Sequence, residues 1–450
     1  MNLKGKRISI IGAGKSGVAT AEIAKSLGAT PFISDSAKIK DKTVLEKLAT
    51  LEIYCEFGGH TSKALACDLM VVSPGVSANA EIIFDAKQAG IIVWPEIELA
   101  YRLCRGKIVG ITGSNGKTTT TALIGEIFKN AGLPTFVCGN IGNPFVAIAQ
   151  QVPENGYAIV ELSSFQLEQI ESFKPDIAVF LNLTPDHLDR HDGLEAYIDA
   201  KMRIFENQKV GDVAVVNYDD QTLSKRCPEV KSRLVWFSLQ KMLDDGIWAT
   251  TEGSIFDGKT ELMKSSDVKI KGEHNLSNAC AAIGAALSAG ISKDKLVEIL
   301  KSFAGVEHRL EPVRLIGGVS YINDSKGTNV DSVFWALKAV PAPVILIAGG
   351  KDKGGDFSAL NEMVIKKVKL VILIGQASDK IEATWSKLVT CIRADSMEDA
   401  ILKARINSKP GDTVLLSPGC ASFDMFDNYE HRGQVFKKAV WDLKPEGASK

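Results

Sequence analysis

Short apolar runs recur along this chain and alternate with longer stretches whose apolar positions repeat at helical spacing. The runs at residues 7–11, 30–34, 68–72, 91–94, 107–112, 158–162, 177–183, 213–217, 344–348, 370–374 and 413–417 have the length of strands. Between several of them the pattern turns helical, as at 16–27, 117–131 and 278–289. Alternation of this kind predicts an α/β fold with mainly parallel sheets, because parallel neighbours need a crossover and a helix supplies it. In such sheets ligands bind at the carboxyl ends of strands, so the turns from strand to helix are where chemistry is expected. Residues 219–266 lack the rhythm and read as a satellite sheet with loops.

The chain has 450 residues, and at about 150 residues per domain three domains are expected. Trp94-Pro95 closes the first series of elements, and a helical pattern gives way to a Gly- and Val-rich stretch near 303–312. The expected domains are therefore 1–95, 96–303 and 304–450. Basic and acidic residues number 53 and 54, a net charge of −1, so no bulk field draws the protein to nucleic acid or an anionic membrane. The apolar piece at 8–11 is broken by Gly12, Gly14, Lys15 and Ser16. It is too short for a signal peptide, or for a span of roughly 18 apolar residues. Eight scattered cysteines without a C-x-x-C pair fit a reduced, cytoplasmic protein with buried thiols.

The strand-end turns carry the candidate chemistry. Gly12-Ala13-Gly14-Lys15-Ser16-Gly17 follows the first strand and opens the first helix, and Asp35 ends the second strand. The spacing is that of a dinucleotide fingerprint, in which glycines allow the tight turn and the helix N-terminus attracts a diphosphate. A turn that only packs helix on sheet has the same spacing, and the motif does not say which diphosphate is held. Gly113-Ser114-Asn115-Gly116-Lys117-Thr118-Thr119-Thr120 is sharper. Backbone N–H groups and the helix dipole converge there on a phosphate chain, with Lys117 reaching the β/γ-phosphates and Thr118 a magnesium ion. The strict P-loop pattern asks for glycine where Ile111 stands, with Gly110 and Gly113 on either side. Glu161 ends an otherwise apolar strand, and Asp186-His187 and Asp189-Arg190-His191 follow another. Carboxylate oxygens and a neutral imidazole at such ends suit a divalent metal. Three further loops, at 323–329, 349–356 and 417–422, are rich in cations, hydroxyls and glycines, as suits an anionic small molecule.

Read together, residues 112–120, 182–191, 274–278, 308–309, 324–329 and 417–422 resemble the Mur ligase family, motif by motif and in the family's order. Asn323-Asp324-Ser325-Lys326-Gly327-Thr328-Asn329 and Ser417-Pro418-Gly419-Cys420-Ala421-Ser422-Phe423-Asp424 look most like the branch that adds D-glutamate. The Asp-Asn-Pro-Arg string of the diaminopimelate-adding branch does not occur here. The resemblance implies a Rossmann-like N-terminal domain for UDP, a P-loop-type central ATPase domain, and a Rossmann-like C-terminal domain for the amino acid. It implies that ATP drives D-glutamate onto UDP-N-acetylmuramoyl-L-alanine through an acyl phosphate, in peptidoglycan precursor synthesis. A cytoplasmic monomer using Mg²⁺, two ions, is expected, with neither nucleic acid nor membrane as partner.

Residue by residue, the resemblance implies that Lys15, Ser16, Asp35, Ser36, Ser73 and Gly75 hold UDP, and Asn140 the muramoyl group. It implies Gly113, Ser114, Asn115, Gly116, Lys117, Thr118, Thr119, Asn275, Asn278, Arg309, Asp324 and Lys326 for ATP. Lys117, Glu161, His187 and Lys201 look catalytic, and Thr118, Glu161, His187 and Lys201 look like the metal site, with Lys201 matching a lysine that the family carbamylates. Thr328, Lys353, Ser422 and Tyr429 match the D-glutamate positions. Tyr429 stands where the family often has phenylalanine, and Gly327 and Gly419 where alanine is common. Another Mur ligase or a folylpolyglutamate synthase would share this chemistry. An NAD-dependent oxidoreductase, suggested by the first motif alone, leaves Gly-Lys-Thr-Thr and the later clusters unexplained.

Overall fold

A computed structural model describes residues 1–39, 42–185 and 191–443. Among them the apolar runs become the strands of three sheets. The first is wholly parallel, in the order Tyr54–Phe57, Thr30–Asp35, Arg7–Ile11, Leu69–Val72, Ile92–Pro95. The second has nine strands, ordered Thr260–Lys264, Ser254–Asp257, Ile247–Ala249, Arg233–Ser238, Val213–Asn217, Ile177–Phe180, Lys107–Thr112, Tyr157–Glu161, Thr135–Gly139. It is parallel except where the Ser254–Asp257 strand runs against both of its neighbours. The third has six strands, ordered Glu311–Ile316, Val319–Asn323, Thr413–Leu416, Val344–Gly349, Val368–Ile374, Thr390–Arg393, and only its first pair is antiparallel. The α/β class with mainly parallel sheets is thus as expected.

The chain divides into two compact units, one of Met1–Lys269 with Leu276–Phe303 and one of Ile270–Asn275 with Ala304–Lys450. The first unit holds two sheets, and one apolar core runs through both, from Ile8 and Ile10 to Phe145, Val146 and Phe180. The helices Lys15–Ser26 and Glu96–Leu103 both pack on the short helix Phe145–Ile148. The second unit covers its sheet on both faces. Helices Met397–Asn407 and Tyr429–Trp441 contribute to one core, and Val330–Ala339, Asn361–Lys367 and Ser378–Trp385 to the other.

The stretch at 219–266 is not a satellite. Arg233–Ser238 pairs in parallel with Val213–Asn217, and Phe237 and Ser238 then pair with Ile247 and Trp248, so these strands extend the central sheet. Strands Tyr54–Phe57, Thr135–Gly139 and Thr390–Arg393 were outside the predicted set. Each is an edge strand and half-exposed, so it lacks the continuous apolar run that marks an interior strand. Among the described residues no helix is long and apolar enough to cross a membrane.

Candidate functional site

The first glycine turn is held from two sides. Gly12 adopts φ +96°, and a Cβ on Gly17 would lie 1.9 Å from the Gly12 carbonyl oxygen, so both positions need glycine. Asp35 accepts the Ala13 N–H at 2.7 Å on one oxygen and the Ala37 N–H at 2.8 Å on the other. The buried Ser73 hydroxyl donates to the Gly12 carbonyl at 3.1 Å. Asp35 and Ser73 therefore brace the turn itself, a role the sequence did not disclose. Helix Lys15–Ser26 starts here without a side-chain cap, which leaves its first-turn N–H groups to an anion or to water. Lys15, Ser36 and Gly75 are exposed and Ser16 half-buried around it.

The second loop is built more tightly. Helix Lys117–Asn130 begins after Gly116, which takes the left-handed conformation at φ +84°. A Cβ on Gly116 would come 2.3 Å from Asn278 Oδ1, so Asn278 lies directly against the loop. The Asn115 N–H donates to Asn182 Oδ1 at 2.8 Å, and Asn182 Nδ2 donates back to the Asn115 carbonyl at 3.1 Å. The Ser114 hydroxyl donates to the Thr184 carbonyl, accepts the Thr184 N–H at 2.9 Å, and meets the Tyr197 hydroxyl at 2.8 Å. Asn182, Thr184 and Tyr197 thus shape the loop without being predicted site residues; the motif at 182–191 marked the segment of the first two but not their role, and Tyr197 lies outside it, on helix Leu194–Met202. Lys117 Nζ donates to the carbonyls of Gly113 and Ser114 at 2.7 and 2.8 Å.

Beside this loop the Thr118 hydroxyl donates to Glu161 Oε2 at 2.8 Å, and Asn140 Nδ2 donates to Glu161 Oε1 at 3.0 Å. Thr118 and Glu161 are both buried, and Thr119 Oγ1 has no hydrogen-bond partner among the described residues. Hard oxygen donors converging on buried ground fit Mg²⁺, and an unpaired hydroxyl in the first helical turn fits a phosphate oxygen. Lys201 is 2% exposed, donates from Nζ to the Gly113 carbonyl at 3.0 Å, and sits 4.9 Å over the Tyr197 ring. An ammonium has no lone pair for a metal, so a ligand role there requires a modified amine. His187 lies outside the described residues. His191 is buried, with Nδ1 2.9 Å from Glu168 Oε1 and Nε2 2.9 Å from Ser164 Oγ.

In the second unit Asp324 is buried at the end of strand Val319–Asn323, accepting from the Leu310 N–H at 3.2 Å and the Ser417 hydroxyl at 2.7 Å. Burial pushes its carboxyl up to about 6, and the Arg309 charge works against that rise. Arg309 lies between His308 at φ +64° and Leu310 at φ +44°, left-handed conformations that cost energy in residues with side chains. Its Nε is buried without a partner among the described residues, a donor suited to a ligand oxygen. Asn275 Nδ2 donates to the Lys271 carbonyl at 2.8 Å.

Lys326 Nζ stands 5.1 Å over the Tyr429 ring. The half-buried Thr328, the exposed Lys353 and the buried Ser422 sit on three separate strand-end loops. Arg432, unanticipated from sequence, joins two of them. It is fully buried, donating from Nε to Ser325 Oγ at 2.9 Å, from Nη2 to the Ser325 carbonyl at 2.7 Å and from Nη1 to the Cys420 carbonyl at 3.1 Å. Cys420 itself is a free thiol that burial pushes up to about 12, as a structural cysteine would be.

The family model described as the MurD N-terminal domain matches residues 7–82, the Mur ligase middle domain 111–286, and the Mur ligase, glutamate ligase domain 308–420. The UDP-N-acetylmuramoylalanine--D-glutamate ligase of Caldanaerobacter subterraneus subsp. tengcongensis is 44% identical over 450 residues, covering 99% of this chain and 100% of that protein. The ligase of the same name from Alkaliphilus metalliredigens is 42% identical over 455 residues, with 99% and 100% covered. Among solved structures, a pseudomurein peptide ligase type C from Methanothermus fervidus is similar at TM-score 0.64 and 19% identity, covering 98% of this chain and 100% of that one. MurF ligase from Thermotoga maritima in complex with ADP is similar at TM-score 0.62 and 20% identity, with 91% and 95% covered.

Proposed function

The chain belongs to the Mur ligase family, and from that premise we propose that it joins D-glutamate to UDP-N-acetylmuramoyl-L-alanine at the expense of ATP. The observation that carries this is full-length identity of 44% to a ligase of that name. We assign residues 1–95 to the UDP moiety, 96–303 to ATP and the muramoyl group, and 304–450 to the amino acid. The reaction serves peptidoglycan precursor synthesis in the cytoplasm.

A free carboxylate does not form an amide at neutral pH, because oxide is too poor a leaving group. The L-alanyl carboxylate oxygen therefore attacks the γ-phosphorus, ADP leaves, and an acyl phosphate results. The D-glutamate amine then attacks the acyl carbon, and the tetrahedral intermediate loses phosphate and a proton. Lys117 and the N–H groups of the 113–118 loop hold the phosphates and spread the charge that develops on transfer. Asn182 and Thr184 keep that loop in shape. Asn140 presents its amide to the muramoyl substrate while its Nδ2 is fixed on Glu161. Thr118, Glu161, His187 and a carbamylated Lys201 would hold Mg²⁺, which neutralises phosphate charge when bound. Thr328, Lys353, Ser422 and Tyr429 receive D-glutamate.

One assay tests the reading. Phosphate release from ATP, in the presence of the UDP-linked substrate, is measured with D-glutamate, L-glutamate, L-lysine and diaminopimelate. Release with D-glutamate alone supports the assignment, and equal release with another amino acid overturns it.

A further inference from the structure

We infer that Glu96 is a positioning residue for the muramoyl substrate, its carboxyl fixing the turn at residues 139–145 that presents Asn140. The inference rests on the reading that Asn140 meets that substrate. Glu96 opens helix Glu96–Leu103 and is 1% exposed. Its Oε1 accepts the N–H of Val146 at 2.7 Å. Val146 is the second residue of helix Phe145–Ile148, whose N-cap is Pro144 and has no side-chain cap of its own. The first-turn N–H groups of a helix need acceptors, and here a different helix supplies one.

The other end of the turn lies within Glu96's electrostatic reach. Cys138, buried on strand Thr135–Gly139, has its thiol pushed well up by burial and then by the charges of Glu96 and Cys104. Inside the turn the Gly139 N–H donates to the Asn143 carbonyl at 2.9 Å, and the Asn140 N–H to the Glu161 carbonyl at 2.9 Å. Gly139 adopts φ +109°, and a Cβ there would fall 2.3 Å from the Glu161 carbonyl oxygen. The turn is therefore pinned on Glu161 at its start and on Glu96 at its end.

Glu96 Oε2 is buried without a hydrogen-bond partner among the described residues. Burying a carboxyl that is only half satisfied costs stability, so the Val146 contact is not simply the relief of a buried charge. What the contact provides is a fixed end for the turn. Helix Phe145–Ile148 also packs on helix Lys15–Ser26, which starts at the first glycine turn. Glu96 thus holds the short helix that packs on the helix opening at the first glycine turn.

The test uses the full-length enzyme with steady-state kinetics for both nucleotide substrates. Glu96→Ala is expected to raise the KM for UDP-N-acetylmuramoyl-L-alanine about tenfold or more while the KM for ATP stays within about twofold, as loss of one hydrogen bond to a charged or buried group predicts. Glu96→Gln keeps an acceptor for the Val146 N–H and is expected to stay within about threefold of wild type. Should Glu96→Ala fail to fold, Glu96→Asp, whose shorter side chain falls back from Val146, carries the same expectation. Asn140→Ala separates the two claims. If it leaves the muramoyl KM unchanged, the Asn140 reading fails and the inference with it. If it raises that KM while Glu96→Ala and Glu96→Asp do not, or if they raise both KM values equally, Glu96 is a structural residue only and the inference alone is overturned.

Discussion

At Lys117 the ammonium donates to the carbonyls of Gly113 and Ser114, 2.7 and 2.8 Å away. A phosphate oxygen is a charged acceptor, and bonds to charged acceptors are roughly twice as strong as neutral ones. The side chain is thus held at the loop by contacts that ATP can outcompete. Lys117→Ala is expected to lower ATP turnover by well over tenfold, the tenfold mark being about 1.4 kcal/mol of barrier, with little change in Tm. Turnover within tenfold of wild type would remove Lys117 from the mechanism. Lys201 poses a sharper question, because a buried lysine that donates to the Gly113 carbonyl cannot also ligate a cation. A carbamate would convert that donor into an oxygen ligand. Lys201→Ala should then be nearly inactive and partly rescued by a short carboxylic acid. Labelled bicarbonate should give a carbamate carbon signal in the wild type; no signal, together with no rescue, counts against the modification.

At the scale of elements, Glu96 also makes a prediction about pH. Burial pushes its carboxyl from an ordinary 4.5 up to about 7, and the Val146 N–H works against that rise. The folded chain therefore prefers the neutral acid. The stability this contributes is fully present below about 4.5 and is lost as pH rises through about 7, a change of about 3 kcal/mol. Glu96→Gln does not titrate, so the Tm of the variant relative to wild type should rise between pH 4.5 and 8. A Tm difference constant across that range would show that Glu96 ionises freely in the fold. Nothing in the sequence signalled this, since acids in a first helical turn, as Glu96 and Glu98 are, read as ordinary complements to the helix dipole. Glu98 instead accepts the N–H groups of Glu171, Ser172 and Phe173, each within 3.0 Å. The apolar runs marked most interior strands and the glycine turns marked both phosphate-type loops, because burial on two faces and positive φ each demand particular residue types. The interior strands Arg233–Ser238, Ile247–Ala249 and Ser254–Asp257 are short or half-exposed and carried no such run. Arg432 and Asn182 left no such mark. Arg432 meets Ser325, 107 residues away, and Asn182 meets Asn115, 67 residues away, and only the folded chain brings those together.

For the whole molecule, the choice of amino acid separates this ligase from the rest of its family. D-glutamate brings two carboxylates and an amine that must be unprotonated to attack. A single ion pair cannot fix the handedness of a small flexible molecule, so its recognition has to combine a cation with hydroxyl and backbone donors set in different directions. On the proposed assignment the second unit would supply these from separate strands: Thr328 beyond Val319–Asn323, Lys353 beyond Val344–Gly349, and Ser422 beyond Thr413–Leu416. Arg432 ties the first and last of these loops through Ser325 and Cys420. The backbone pair between Lys351 and Ala421, at 2.9 and 3.0 Å, ties the second to the last. Three donors on mutually fixed loops can distinguish the two hands where one cannot. Lys353 is exposed, so the proposed contact with a substrate carboxylate would be made largely on binding. Lys353→Ala should accordingly raise the KM for D-glutamate by roughly ten- to hundredfold, as a charge-assisted contact of about 1.5–3 kcal/mol predicts, while the KM values for ATP and the UDP-linked substrate move little. L-glutamate carries the same charges on the wrong hand and should be a poor substrate of the wild type. If L-glutamate were ligated as well as D-glutamate, the three-loop account of specificity would fail even though the acyl-phosphate chemistry stood.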